Sequence, residues 1–380
     1  MVPQQDKTAA SPKPSLYDLT PAELESFFLS IGEKPYRARQ VLDFLYRHPV
    51  GSIGEFTTLS KSLREKLAGA MSLAPLVLRA TLEAPDGTIK HAYEVSGMRG
   101  RKAVLESVWM PSEPADIGPV DEHPADGVDL PGFEGKHARH TLCISSQLGC
   151  AAGCRFCATG ALGLQGQLTA GEIVYQVVHC LILYGALPDV VLFMGMGEPM
   201  HNFQAVCAAV EIMTQKDALG FSPRRVIVST SGELERLATF HRRFPRVGLA
   251  ISLNAGTDEV RNALIPLNAK FDMRAIASFI RSIEPAKGEN VTLEYVVLAG
   301  VNDTPSQIRA LVAFLRPLAG RVKVNLIPFN PVGDLEYKSP GRESVLKMHK
   351  TIMSAGIRVF VRRNRGRGVT AACGQLAGKM

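Results

Sequence analysis

From residue 141 onward the sequence repeats one pattern, in which an apolar, strand-like run is followed by a loop and a helical segment. Six such runs occur, at 141–145, 190–194, 225–230, 248–253, 291–298 and 322–327. Buried strands that alternate with helices pair in parallel, so the pattern predicts an α/β fold whose sheet is open or curled into a partial (β/α)6 barrel. In such folds the chemistry lies at the carboxyl ends of the strands, where the unusual residues of this sequence also fall.

The remaining sequence predicts a division into further segments. Residues 1–14 hold three prolines and few apolar residues, which is typical of a disordered lead. Apolar residues at helical spacing, with a capping box at Thr20 and Glu23, predict a small helical domain. The predicted units are the lead 1–14, the helical domain 15–75, an antiparallel β meander 76–111, an acidic insertion loop 112–136, the barrel 137–335 and a C-terminal segment 336–380.

Two helices of the barrel also show N-terminal signals. Thr169 precedes Glu172 by three residues, and Thr304 precedes Gln307 by the same spacing. Both pairs match the capping box, in which each residue accepts a hydrogen bond from the backbone of the other. We therefore predict that helices begin at these two threonines.

Composition excludes several classes of protein. The 380 residues are 46% hydrophobic and 21% charged, as in ordinary globular chains. No window approaches the ~18 apolar residues of a membrane span, and the N-terminus has no apolar leader, so we expect a cytoplasmic protein. The formal net charge is +7, and it becomes +14 without the stretch 112–134, which holds seven acidic residues and no Lys or Arg. A basic body of this size suits a polyanionic partner.

Seven cysteines form an odd set that favours metal binding or catalysis over a disulfide framework. Cys150, Cys154 and Cys157 form a C-x3-C-x2-C run just beyond the first strand-like run. Three thiolates on one loop can ligate three irons of a 4Fe–4S cluster and leave the fourth iron without a protein ligand. Structural zinc is the alternative, but it needs four nitrogen or sulfur ligands, and no second cysteine knot is present.

A C-x3-C-x2-C run at the head of a parallel α/β unit is the signature of the radical S-adenosylmethionine superfamily, and other segments narrow the resemblance. They are 145–150 (SSQLGC), 157–160 (CATG), 194–199 (MGMGEP), 229–232 (STSG), 325–331 (NLIPFNP) and 371–378 (AACGQLAG). Together they resemble the dual-specificity RNA methyltransferases that methylate C2 of adenine in 23S ribosomal RNA and in transfer RNA. The resemblance covers the chain after about residue 15. It implies a partial radical-SAM barrel with a helical N-terminal RNA-binding domain and a short antiparallel β extension.

The resemblance also implies roles for individual residues. Cys373 would accept a methyl group, and Cys143 would then attack its sulfur, release the product and leave a transient Cys143–Cys373 disulfide. Glu106 matches the residue that accepts a proton from the adduct, a general-base role. The matching contacts to S-adenosylmethionine are Gly197, Glu198, Ser229, Ser252, Leu253, Asn254 and Asn330, and the cluster ligands are Cys150, Cys154 and Cys157. Asn254 stands where many relatives have histidine, so any role that needs imidazole titration is lost.

The chemistry of the substrate agrees with a radical route. Carbon 2 of adenine lies between two ring nitrogens and is too electron-poor to attack a sulfonium methyl group. A carbon-centred radical can add to it, and the cluster with S-adenosylmethionine would generate that radical. The family route consumes two molecules of S-adenosylmethionine in each turnover.

The partners implied are 23S ribosomal RNA, near the peptidyl-transferase centre, and transfer RNA, beside the anticodon. Because the target carbon is buried in stacked RNA, the base must be unpaired or flipped out. Basic groups expected to contact the phosphates are Arg224, Arg225, His241, Arg242, Arg243, Arg246 and the run 362–367. The resemblance further implies a low-potential electron donor such as flavodoxin, a thiol reductant for the disulfide, no membrane contact and a monomer.

Two alternatives remain open. A sister resistance enzyme shares the cysteines but methylates C8 of the same ribosomal adenosine; the sequence Gly-Glu-Pro at 197–199 and the extended N-terminus favour the C2 enzyme. A protein of another class, a non-catalytic iron–sulfur or zinc RNA-binding protein, would use the cysteine run for structure alone. Cys373 and Glu198 argue against it, because a purely structural protein needs neither.

Overall fold

The computed structural model describes residues 13–73, 75–97, 100, 102–112, 139–283, 291–333, 335–362, 366, 369–372 and 374–378. Several predictions lie outside these residues: the lead 1–14 except its last two residues, the acidic insertion loop after Ser112, and the role of Cys373. The basic residues Arg363, Arg365 and Arg367 also lie outside them. The division of the chain into domains stays a prediction.

The N-terminal region is helical, with α1 (Pro21–Ser30), α2 (Tyr36–Tyr46) and α3 (Lys61–Ala70). The predicted capping box is confirmed, because Thr20 Oγ1 accepts from the Glu23 N–H and the Glu23 carboxylate accepts from the Thr20 N–H. This region contacts the rest of the chain through Asp18, whose Oδ1 accepts a 2.7 Å hydrogen bond from the backbone N–H of Gly171. The position of this region relative to the helix Ala170–Tyr184 is therefore fixed by a polar contact as well as by the packing of Tyr17 against Tyr175.

Twelve strands occur in the described part of the chain. They are β1 (Val77–Glu83), β2 (Ile89–Ser96), β3 (Lys102–Ser112), β4 (Arg139–Cys143), β5 (Gln147–Gly149), β6 (Leu164–Gln167), β7 (Val190–Phe193), β8 (Val226–Thr230), β9 (Gly248–Ser252), β10 (Val291–Val297), β11 (Val322–Pro328) and β12 (Arg358–Val361). β5 and β6 form a separate pair, and the other ten form one sheet in the order β1-β2-β3-β4-β7-β8-β9-β10-β11-β12. Strands β1 to β4 pair antiparallel, whereas β4 and β7 to β12 pair in parallel.

The predicted α/β fold is thereby confirmed, including the helical N-terminal region and the antiparallel extension. β1 and β12 are the edges of the sheet, so the parallel part is an open, partial barrel. One parallel strand follows the six predicted ones, because β12 pairs with β11. It has only four residues, too few to give a clear apolar pattern.

Eight further helices follow in the described residues. They are α4 (Ala158–Ala161), α5 (Ala170–Tyr184), α6 (Phe203–Thr214), α7 (Leu234–Arg243), α8 (Asp258–Leu264), α9 (Met273–Ser282), α10 (Pro305–Leu315) and α11 (Arg342–Ser354). None of the helices in the described ranges has the length and apolarity that a membrane crossing needs.

The two predicted caps in the barrel have different outcomes. The capping box at Thr169 and Glu172 is confirmed in both directions. At Thr304 the hydroxyl accepts from the Gln307 N–H as predicted. The prediction of the reciprocal bond, from the Thr304 N–H to Gln307, is wrong. Gln307 Oε1 instead accepts from the backbone N–H of Gly256 at 3.0 Å. The glutamine thus links α10 to the loop after β9, a tertiary contact that local spacing cannot reveal.

Side chains alternate between the two faces of the sheet. On one side, here called the helix face, the strands contribute apolar residues to the core that the helices share: Leu105, Leu142, Val191, Val228, Ile251, Leu293 and Val324. The other side, here called the polar face, carries Glu106, Cys143, Ser229, Ser252, Glu294 and Asn325. The fold therefore separates its apolar core from the predicted site residues that lie on strands, Glu106, Cys143, Ser229 and Ser252, by one layer of backbone.

Candidate active site

Strand register brings predicted site residues from distant parts of the sequence onto the polar face. Cys143 pairs with Val108, so Glu106, two residues away on β3, lies on the same face. Ser252 of β9 pairs with Glu294 of β10, and Glu294 pairs with Asn325 of β11. Cys143 and Ser252 are the last residues of β4 and β9, whereas Glu294 and Asn325, which were not among the predicted site residues, lie in the middle of β10 and β11.

The three cysteines of the C-x3-C-x2-C run lie on the loop between β5 and α4. Cys150 is buried, whereas Cys154 and Cys157 are half-buried. Burial raises the pKa of the Cys150 thiol to about 12. Burial, followed by the charges of Cys157 and Cys150, raises the pKa of Cys154 well above its ordinary value. Because burial and neighbouring thiolates both raise the pKa of Cys150 and Cys154, a positive group near these two sulfurs would favour their ionised form.

The donor set of this loop fits a 4Fe–4S cluster better than a single ion. In the part of the chain that the structure describes, no group of three or more His, Cys, Asp or Glu residues is arranged to hold one metal ion. A cubane cluster binds each cysteine through a different iron, so its sulfur ligands lie farther apart than those around one ion. Phe156, Leu264, Ile265, Leu298 and Phe329 form an apolar cluster against Cys154 and Cys157, the kind of dry shell that tunes a redox cluster.

Gly197 and Glu198 follow β7 in a tight turn against Gln147. Gly197 has φ +101°, and a Cβ at this position would clash with Gln147, so only glycine fits here. Glu198 is buried, and its Oε2 accepts from the N–H and hydroxyl of Ser231 at 2.7 and 2.8 Å. Its charge also raises the pKa of Cys150 and Cys154, which places the carboxylate beside the cysteine loop. A carboxylate here can also accept a hydrogen bond from a bound ammonium group.

Asn254 occupies a backbone conformation that restricts its residue type. It has φ +58°, in the left-handed region that asparagine tolerates better than most residues. Its Oδ1 accepts from the Val296 N–H at 2.7 Å, and its carbonyl accepts from Asn302. Asn254 therefore links the ends of β9 and β10, while Leu253 and Asn330, both buried, lie just beyond β9 and β11.

Arg261 of α8 is a residue that the sequence analysis missed. It is fully buried and donates to the carbonyls of Ser231, Ser252 and Leu253, which links the ends of β8 and β9. Burial lowers the pKa of its guanidinium to about 10. One signal in the sequence could have revealed it: Arg261 precedes Leu264 and Ile265 by three and four residues and so shares their apolar stripe.

Glu106 is one half of a buried ion pair. Lys90 Nζ lies 2.7 Å from Glu106 Oε1, and the two side chains are 3% and 1% exposed. Glu106 Oε2 accepts from the backbone N–H groups of Ala377 and Gly378, each at 2.9 Å. Lys90 also donates to Thr370 Oγ1. This ion pair therefore anchors the C-terminal segment on both sides of position 373.

The described neighbours of Cys373 lie between the cysteine loop and Cys143. Ala371 and Leu376 pack with the buried Cys143 in one small apolar cluster. The Gly374 carbonyl accepts from the Ala158 N–H, one residue beyond Cys157. The chain on either side of position 373 is thus held next to two of the predicted reactive centres.

The basic groups predicted to contact RNA do not all lie near this site. Arg224 and Arg225 come directly before β8, and Arg246 comes shortly before β9, so they lie at the amino ends of the parallel strands. The cysteine loop lies at the opposite end of the parallel strands, where their carboxyl ends are. His241 to Arg243 end α7, and Arg243 pairs with Glu211. Among the described members of this set, Arg362 follows the carboxyl end of β12 and so lies at the same end of the parallel strands as the site.

Two family models match the chain. One, described as the ribosomal RNA large subunit methyltransferase N-terminal domain, matches residues 15–73. The other, the radical SAM superfamily, matches residues 144–315. The first match covers α1 to α3, and the second covers the cysteine loop and most of the parallel strands.

Curated relatives and one solved structure match nearly the whole chain. A dual-specificity RNA methyltransferase RlmN of Psychrobacter arcticus is 36% identical over 98% of this chain and 89% of its own length. The protein of the same name from Geobacter sulfurreducens is 37% identical over 94% of this chain and 90% of its own length. The crystal structure of a radical SAM methyltransferase from Sphaerobacter thermophilus superposes with a TM-score of 0.84 at 35% identity, and the match covers 96% of this chain and 100% of that chain.

Proposed function

Because this chain belongs to the family of dual-specificity RNA methyltransferases named RlmN, we propose that it methylates C2 of adenine in 23S ribosomal RNA and in transfer RNA. It is a radical-SAM enzyme that uses a 4Fe–4S cluster and S-adenosylmethionine. One observation supports the proposal most. The three-thiol loop, Glu106, Cys143 and the segment around position 373 come together at one edge of the polar face.

Binding and orientation are assigned to groups at the ends of the strands. Cys150, Cys154 and Cys157 would hold the cluster, which supplies one-electron cleavage of S-adenosylmethionine when bound. Glu198 would accept a hydrogen bond from the ammonium group of the cosubstrate. Ser229, Ser252, Leu253, Asn254 and Asn330, with Gly197, would surround the rest of it. The apolar shell around Cys154 and Cys157 would keep water from the reactive carbon.

The methyl group is proposed to pass through a protein thioether. Cys373 would carry it as S-methylcysteine, and this methyl group would give up one hydrogen atom when a second S-adenosylmethionine is cleaved. The methylene carbon would then bond to the adenine carbon as a covalent protein–RNA adduct, and the unpaired electron of the adduct would return to the oxidised cluster. Cys143 would then attack the Cys373 sulfur and release the methylated RNA, and a thiol reductant would reduce the resulting disulfide. The packing of Cys143 against Ala371 and Leu376 supports this pairing, since it keeps the two segments in contact.

Glu106 would take the proton from the adduct carbon at Oε1. Its Oε2 accepts hydrogen bonds from two backbone N–H groups, whereas Oε1 faces the ammonium group of Lys90 at 2.7 Å. The proton would then reside on Oε1, beside the Lys90 side chain.

The partners complete the proposal. We expect the electrons to come from a low-potential protein such as flavodoxin, and we expect the enzyme to act as a cytoplasmic monomer. Ribosomal RNA would present its target near the peptidyl-transferase centre, and transfer RNA would present it beside the anticodon. The basic residues at the far edge of the sheet would then contact phosphates away from the reacting base.

The direct test is to purify the protein without oxygen, measure iron and zinc, and incubate it with S-adenosylmethionine, reductant and each RNA. We expect an iron-rich, coloured protein that produces 5′-deoxyadenosine and 2-methyladenosine, identified by mass spectrometry of nucleosides. Methylation at C8 alone would identify the resistance-type alternative. A colourless, zinc-loaded protein that binds RNA without turnover would identify the structural alternative.

A second experiment tests the cysteine pair. Cys143→Ala should trap a covalent RNA adduct through Cys373, which peptide mass spectrometry can locate. Cys207→Ala is the matched control, because Cys207 is also buried but lies on α6 away from the site. Normal turnover by Cys143→Ala would contradict the proposed release step.

A further inference from the structure

Two buried acceptors on the polar face have no role in the site described above. Glu294 of β10 and Asn325 of β11 pair in parallel register, and their side chains are 5% and 2% exposed. Asn325 Nδ2 donates to Glu294 Oε1 at 3.0 Å. Within the described residues, no donor reaches the other two atoms, Glu294 Oε2 and Asn325 Oδ1.

Such an arrangement requires an explanation. Buried polar atoms in folded proteins nearly always have a hydrogen-bond partner, because leaving one without a partner costs free energy. Here two acceptors on adjacent strands lack a donor together. A molecule that brings two donors at neighbouring positions would satisfy both.

The pair lies within the proposed cosubstrate site. Glu294 is in register with Ser252, one of the predicted contacts to S-adenosylmethionine. Val296, two residues farther along the same face of β10, packs in the apolar cluster that contacts Cys154 and Cys157. Glu198 follows β7, three strands away across the sheet, on the side of the cysteine loop.

We propose that Glu294 and Asn325 bind the 2′- and 3′-hydroxyl groups of the ribose of S-adenosylmethionine; this inference rests on the proposed function. A vicinal diol offers two O–H donors on adjacent carbons, which matches two acceptors on adjacent strands. The ammonium group of the cosubstrate is already assigned to Glu198. The adenine amino group has two N–H donors on one nitrogen, but it is flanked by the ring nitrogens N1 and N7, whose lone pairs would face the two acceptor oxygens. The diol is therefore the part of the cosubstrate that fits.

The test measures binding of S-adenosylhomocysteine and its 2′-deoxy and 3′-deoxy analogues to the reconstituted, cluster-loaded protein by isothermal titration calorimetry. We expect removal of one hydroxyl to weaken binding to the wild-type protein by roughly tenfold or more, as for hydrogen bonds to charged groups. Glu294→Gln should weaken binding of S-adenosylhomocysteine by a similar factor. It should also reduce the preference for at least one hydroxyl, because the hydroxyl then meets a neutral amide N–H instead of a charged acceptor and makes a weaker hydrogen bond.

Thr292→Val is the matched control, since Thr292 lies two residues earlier on the same face of β10. It should keep both the affinity and the preference for the diol. Should Glu294→Gln fail to fold, the wild-type preference still decides. A wild-type protein that binds S-adenosylhomocysteine but tolerates both deoxy analogues overturns the inference alone. A cluster-loaded protein that binds neither S-adenosylhomocysteine nor its analogues overturns the proposed function as well.

Discussion

Along β10, Leu293 and Tyr295 contact the helices, while Thr292 and Glu294 occupy the opposite face of the same strand. Neighbouring strands repeat this division, so one sheet has an apolar side and a side with buried polar groups. Burying apolar side chains stabilises the fold, whereas burying a carboxylate costs free energy unless it is paired. The helix face therefore maintains the fold, whereas the polar face holds buried polar groups that the fold itself does not need.

The largest contrast is expected between cysteines on the two sides. Cys154→Ala should remove a cluster ligand and reduce methyl transfer below detection, because three thiolates are the minimum set for this cluster. Cys180→Ala is the control. It makes the same substitution at a cysteine that is buried on α5 against the helix face, away from the cysteine loop. Iron analysis and methylation assays check the pair. If both variants keep comparable iron content and activity, Cys154 is not a cluster ligand.

The next effect concerns the buried ion pair on the polar face. Lys90→Met should lower the free energy of unfolding by about 3–5 kcal/mol, because it leaves the Glu106 carboxylate buried without its cation. Arg79→Met removes the cation of an exposed pair with Glu94 on the same meander and should change stability little. Urea unfolding measures both. Equal effects would show that burial does not distinguish the two pairs.

A smaller effect is expected from a cavity on the helix face. Leu293→Ala should cost about 3 kcal/mol of stability and leave iron content and cosubstrate affinity unchanged. Ser252→Ala, on the polar face of the neighbouring strand, should do the reverse, with a stability change under about 1 kcal/mol and weaker cosubstrate binding. Loss of cosubstrate affinity in the folded Leu293→Ala protein would show that the two faces are not independent.

The smallest effect depends on pH and concerns a polar exception on the helix face. His91 is fully buried between Ser107 and Tyr184. Burial, and then the charge of His179, lowers the pKa of His91 from 6.5 to about 4. The folded state thus holds the neutral ring, while the unfolded chain takes up a proton below pH 6.5. The stability that depends on this is complete above pH 6.5 and is lost as the pH falls through 4.

This part of the pH dependence amounts to about 2–3 kcal/mol between pH 6.5 and 4. His91→Gln removes the titrating ring, so its unfolding free energy should fall less steeply over that range. Thermal unfolding at several pH values in the range measures the slope. If the wild type and the variant have the same slope, His91 is not buried in its neutral form.

Much of the fold follows from local patterns. The six strand-like runs predict a parallel sheet, because each is a short apolar segment between helices. The caps at Thr20 and Thr169 are satisfied within four residues and could be recognised for that reason. The cysteine run could also be recognised from its spacing, because the spacing places three thiols on one loop and thereby predicts a cluster site.

Contacts between distant segments could not be recognised in this way. Glu106 meets the backbone of Ala377 and Gly378 across more than 270 residues of sequence. Arg261 unites two strand ends through carbonyl groups, which every residue possesses and which leave no mark in the sequence. Gln307 has the right spacing for a capping box and nevertheless binds Gly256.

The sequence alone determined the order of strands and helices, the cysteine loop and the family, because these depend on residues close together in the chain. Contacts across the folded sheet, by contrast, set which side chains share the polar face, pair Lys90 with Glu106, and place the two acceptors of Glu294 and Asn325 side by side. Residues far apart in the chain meet in this way because strand register sets which face each side chain occupies. Register is in turn fixed by packing across the whole sheet.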